Sequence, residues 1–169
     1  MIVAGLLLAA MFLQVIVVNR LPLPWEAGPD LVLLVVVGCA LFRTAVQGAV
    51  IGFLAGLVVD VMPPSAHPVG QYALVLCAVG FAAGRAGERG LPQVPVVIGC
   101  AVGAPLLALC VGALLGDPRV SLSSLAVTLP AAMAYNLVAA PVVVWTVVRL
   151  LGERPVRRRR LGFAVRSRT

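Results

Sequence analysis

The sequence predicts an all-α, polytopic membrane protein with six transmembrane helices and both termini in the cytoplasm. Three observations carry this. Of the 169 residues, 62% are apolar and 11% are charged, whereas a soluble domain carries about 25% charged residues. The apolar residues lie in long unbroken blocks, unlike the alternating segments of about ten residues that build a membrane β-barrel. All 13 basic residues are Arg, and eight of them fall between Arg149 and Arg168. Too little polar surface exists to coat a globular body in water. A mean hydropathy of +1.09 also excludes disorder, which requires low hydrophobicity. The high isoelectric point belongs to one tail, so it does not describe a nucleic-acid-binding body.

The first span is the 18-residue run from Met1 to Val18. It has no basic leader and no small-residue cleavage site, so it reads as a retained helix. A Pro-rich loop with Trp25, a ring suited to the membrane interface, leads to Asp30. Residues 31–59 then form two apolar runs interrupted at Arg43. A single tilted helix would hold Arg43 inside the bilayer, at a cost of at least a few kcal/mol. Two short helices turning at Arg43 cost less, because the bilayer thins and end residues snorkel. The hairpin is therefore the expected arrangement. The fourth span runs from about Gly70 to Gly84, followed by a polar loop RAGERGLPQVP. The fifth covers about Val96 to Leu115. The sixth covers about Leu125 to Leu151 and contains Pro130 and Pro141, which are expected to kink it.

Six spans place Arg43, Arg85, Arg89 and the eight tail arginines on one side, eleven in all, with Arg20 and Arg119 opposite. The positive-inside rule makes the richer side cytoplasmic. The expected organisation is one six-helix transmembrane domain over 1–151 and a basic cytoplasmic tail over 152–169. In the tail, Arg157, Arg158, Arg159 and Arg160 form a run. Each Arg near an anionic inner leaflet contributes about 1 kcal/mol of attraction. This reads as a lipid anchor and topology determinant.

Few residues could carry chemistry. Gly48, Gly52 and Gly56 recur every fourth residue and share one helix face. Without Cβ atoms, a neighbouring helix can approach closely there. That neighbour is either a partner's helix or another helix of this chain. Gly80/Gly84, Gly99/Gly103 and Gly112/Gly116 repeat the spacing. Asp30 and Asp60 stand at the outer ends of spans two and three, where a hairpin would bring them to the same side. Paired carboxylates can do acid–base work or bind a metal, but Asp30 after Pro29 also suits a helix N-cap, and Asp60 can simply mark the interface. Asn136, flanked by Ala132 and Ala140, reads as an interhelical hydrogen bond of about 1 kcal/mol with Gln14 as a candidate partner, or else as an amide facing a substrate. His67 is the only His, and Cys39, Cys77, Cys100 and Cys110 sit inside apolar runs without metal-ligand spacing. No cofactor, metal site or catalytic constellation is expected.

The stretch from Pro29 to Arg85 resembles the rod shape-determining protein MreD family. The pattern is Pro29-Asp30, an apolar run, Arg43 at the turn, spaced glycines leading to Asp60, a P-x-G ending at Gly70 that opens the next span, and a G-aromatic-x-x-G close at Gly80–Gly84. About a third of the chain carries it. The last span with Asn136, the length and the basic tail are also similar to that family. The resemblance implies a non-enzymatic integral component of the bacterial plasma membrane that helps maintain cell shape. It implies an MreC-like scaffold as partner, within the lateral wall-synthesis complex that includes a RodA-type polymerase and a class B penicillin-binding protein. MreD-like proteins are also similar to substrate-binding components of vitamin importers, which leaves a small-molecule-binding importer subunit as the alternative. Such a binder needs converging polar and aromatic residues, and this chain has nine aromatics and short outer loops.

Reporter fusions test the topology. Those after Arg89 and after Arg160 are expected to read cytoplasmic, and those within 63–68 extracytoplasmic. An extracytoplasmic tail would remove the six-span arrangement.

Overall fold

The computed structural model describes residues 2–20, 27–61, 70–116 and 122–151. Among these residues it contains six α-helices and no strand: α1 (Ile2–Ile16), α2 (Leu31–Ala40), α3 (Ala45–Val61), α4 (Gln71–Glu88), α5 (Gln93–Leu114) and α6 (Leu122–Leu151). A short 3-10 turn at Val18–Arg20 follows α1. Helix α5, and α6 from Ala126 onward, are long and apolar enough to cross a membrane; α1, α2 and α3 are apolar but shorter.

Helix α2 is the axis of the bundle. All ten of its residues are buried, and it touches each of the other five helices. A helix that is apolar on every face can be stable only when surrounded, and Val32, Leu33, Leu34 and Val35–Val37 leave no polar side. At a rise of about 1.5 Å per residue it spans about 15 Å, half of a hydrocarbon core. Gly38 lets α6 approach: a Cβ there would stand 3.1 Å from the Val147 side chain.

The chain breaks between α2 and α3, so residues 31–59 form a hairpin and not one long helix. Helix α2 stops at Ala40, two residues before the end of its apolar run. Phe42 N donates to Cys39 O at 3.3 Å and Arg43 N to Ala40 O at 3.0 Å; these tighter three-residue bonds close the last turn. Helix α3 starts on a capping box that the sequence reading missed. Thr44 Oγ1 accepts from Gln47 N, and Gln47 Oε1 accepts from Thr44 N, both at 3.3 Å.

One boundary differs from expectation, while the sixth span forms a single helix as expected. Helix α4 runs on through Arg85 to Glu88, into the stretch assigned to a polar loop. Arg85 and Glu88 pair at 3.4 Å along the helix surface, and the chain turns only at Gly90, with φ of 69°. Helix α6 continues through both Pro130 and Pro141 as one element. Such prolines are tolerated in apolar surroundings where neighbouring groups and local adjustment satisfy the freed carbonyls.

Helices α3 and α4 make the closest contact in the molecule, along the small-residue face of α3. A Cβ at Gly48 would collide with the backbone of Gly80, and one at Gly80 with the backbone of Gly48. A Cβ at Gly52 would enter the Leu76 carbonyl, and one at Gly56 the backbone of Ala73. The opposite face of α3 presents Val46, Val50, Phe53, Leu54 and Val58 outward. Exposed apolar surface of this extent is not tolerated in water and suits lipid.

Gly52→Leu has nowhere to place its side chain, because the obstacle is backbone. The α3–α4 pair must separate, and overpacking of this kind costs about 1–3 kcal/mol or more. The expected outcome is a severalfold loss of membrane-inserted protein and a lower thermal midpoint. Gly99→Leu, with no atom of another helix among the described residues within 4 Å of its Cβ position, should leave both unchanged. Equal behaviour of the two variants would overturn this account of the α3–α4 contact.

Candidate functional site

The polar side chains of the bundle gather at helix ends. The first group surrounds the start of α2. Asp30 is its N-cap, and Oδ1 accepts from Leu33 N at 2.9 Å. Asp30 N donates to Asn136 Oδ1 at 2.7 Å. Leu31 N donates to Gln14 Oε1 at 2.9 Å, and Gln14 Nε2 donates to Pro29 O at 3.1 Å. Side chains from α1 and α6 thus complete the cap of a third helix. The direct Gln14–Asn136 bond considered from the sequence is replaced by this arrangement: each amide binds the α2 backbone. The physical reason is that the first amides of a helix lack internal partners, and the two side-chain oxygens supply them here. Asn136, midway along α6, is only 2% exposed.

The second group surrounds the start of α4. Asp60, in the last turn of α3, is also 2% exposed. Its Oδ2 accepts from Gly70 N at 2.9 Å and from Ala73 N at 3.0 Å, and its Oδ1 from Tyr72 N at 3.3 Å. The carboxylate therefore serves the next helix, where the positive end of the dipole favours it. Gly70 turns the chain into α4 with φ of 97°, a left-handed conformation that side chains disfavour. Asp30 and Asp60 are each committed to a different helix start rather than forming one acid pair.

At the opposite end of the α3–α4 pair, Glu88 Oε1 accepts from Ala45 N at 3.0 Å. The two helices cap each other: α3 ends in the acid that starts α4, and α4 ends in the acid that starts α3. The sequence reading missed Glu88. Its signal is a carboxylate at the end of a helix whose partner begins alongside. Arg43 lies in the α2–α3 turn beside this end. His67 and the run Arg157–Arg160 lie outside the described residues.

Between these two helix starts lies a cleft of about 170 Å³, bounded by the start of α2, the first turns of α4, the second half of α5 and the middle of α6. Among the described residues its polar lining is Asp30, Tyr72 and Asn136; Ala104, Ala108 and Ala132 are among the small apolar ones. Tyr72 was not singled out by sequence, and a lone aromatic next to a helix start carries no periodic signal. Beside the cleft, Gln71 Nε2 donates to Ala108 O at 3.3 Å.

The family model for the rod shape-determining protein MreD matches residues 1–153. The match covers nearly the whole chain, and the chain belongs to that family, whose members are rod-shape-determining membrane proteins. No curated protein matches the chain, and no solved structure does.

Asp60→Ala would leave three backbone amides without their acceptor in an apolar setting. An unmet buried donor costs about 1–3 kcal/mol, so the loss should exceed that of Glu88→Ala, which frees one amide at a partly exposed site. Thermal unfolding of the two purified variants checks the order, and a Glu88→Ala protein less stable than Asp60→Ala would reverse it.

Proposed function

We propose that this member of the MreD family is a non-enzymatic, multi-pass component of the bacterial plasma membrane that binds an MreC-like scaffold within the lateral wall-synthesis complex and so helps maintain rod shape. The scaffold would link it to a RodA-type polymerase and a class B penicillin-binding protein. The family match over residues 1–153 carries this reading.

Six spans with both termini cytoplasmic suit the same role. The eleven-to-two division of arginines supports that orientation, and the apolar exterior supports placement in lipid. Helix α2 need not match the bilayer thickness, because protein and not lipid surrounds it. The tail from 152 to 169 would lie on the anionic inner leaflet, held by Arg157–Arg160.

The scaffold's membrane helix needs a face that this chain leaves open. The Gly48–Gly52–Gly56 face is filled by α4. Gly99 and Gly103 on α5 have the same spacing, and among the described residues no atom of another helix lies within 4 Å of either Cβ position. A helix pairing through small residues approaches closely at such a groove. We place the scaffold there.

Gly99→Leu with Gly103→Leu should leave abundance unchanged while co-purification of the scaffold from mild detergent falls about fivefold, the effect of about 1 kcal/mol of lost packing. Undiminished co-purification would remove the α5 groove as the docking face. Failure of the unaltered protein to bring down any scaffold would remove the proposed role itself.

A further inference from the structure

The cleft above the start of α2 has a chemistry that partner docking through α5 does not use. Its volume, about 170 Å³, is close to that of an engineered protein cavity of about 150 Å³ that accepts benzene. Most of the wall is apolar, from Leu33, Val75, Leu76, Pro105 and the three alanines.

A helix N-terminus usually invites an anion, because free amides point at it. Here that invitation is cancelled. Asp30 N, Leu31 N and Leu33 N already donate to Asn136, Gln14 and Asp30. Among the described lining residues there is no Lys, Arg or His. The carboxylate of Asp30 lines the cleft instead. The backbone bonds from Leu33 and Val32 use two of about four acceptor positions on that group, so it keeps the capacity to take further donors. Behind the α4–α5 wall, Gln71 Oε1 is buried with no hydrogen-bond partner among the described residues. Acceptors are therefore in surplus around the cleft.

We propose that the cleft binds a small organic cation: a primary ammonium on an apolar body about the size of benzene, with the ammonium donating to the Asp30 carboxylate and the body held by Ala104, Ala108 and Ala132. Asn136 is a positioning residue. It holds the Asp30 backbone, and through it the carboxylate, against the cleft. This goes beyond the scaffold role and does not rest on it.

The test uses the purified full chain in detergent with three probes of one shape: benzylammonium, toluene and benzoate. Benzylammonium at about five times its Kd should raise the thermal midpoint by about 2–4 °C, and the other two should not. Asp30→Asn keeps an N-cap of equal rank but removes the charge, and it should abolish the shift. Ala132→Leu fills the cleft from a partly exposed position and should abolish it too, with Asp30 intact. The proposal is overturned if benzylammonium gives no shift, if benzoate or toluene matches it, or if the shift survives in either variant. Co-purification of the scaffold should be unaffected by Ala132→Leu, which separates this site from the α5 groove.

Discussion

Backbone amides that begin a helix inside an apolar bundle must find acceptors in the protein, because neither lipid nor packed side chains supply them. That constraint shapes this molecule most at α2. The helix is short and enclosed, and it starts level with the middle of α6. Gln14 from α1, Asn136 from α6 and its own Asp30 meet there. The three bonds do more than satisfy donors. They fix the rotation of α1 and α6 about their own axes, since each amide must face inward at one depth. The packing of α6 against Gly38 through Val147 then follows at the other end of α2.

The α3–α4 pair obeys the same rule by a different route. In lipid there is little hydrophobic drive between helices, so association depends on close van der Waals contact and on polar bonds. The glycine face supplies the first and the carboxylates Asp60 and Glu88 the second. The periphery is looser, with Gln71 Nε2 donating to Ala108 O as the polar bond between α4 and α5. Helix α5 buries few of its residues, and no other helix among the described residues comes within 4 Å of a Cβ at its Gly99 or Gly103. The bundle therefore has a polar-bonded centre, a tightly seamed side and a more open side.

Much of the fold was legible in the sequence because its signals are local. Blocks of apolar residues mark helices, Arg43 marks a turn because its charge resists burial, and Pro29-Asp30 marks a helix start. What was not legible is long-range. Gly48–Gly52–Gly56 and Gly99–Gly103 have the same spacing and opposite fates, since spacing defines a face but not what covers it. Asp60 read as an interface marker because its partners, Gly70 to Ala73, lie across a loop in the next helix. Gln14 and Asn136 read as partners of each other because two lone amides invite pairing, yet the unmet amides of α2 competed and won. Helix α4 overran its expected end because Arg85 and Glu88, polar in composition, continue the helix by pairing along it.

The reciprocal acids of α3 and α4 have a consequence for sliding. Two helices joined by repeating glycines could in principle shift by one turn, about 5.4 Å, and find the next glycine in place of the last. Glycine repeats alone thus behave like evenly spaced notches, which hold without choosing. Asp60 and Glu88 sit at opposite ends of the antiparallel pair, so any slip that moves one acid off its helix start moves the other off as well. The notches permit several positions, and the two end stops leave one.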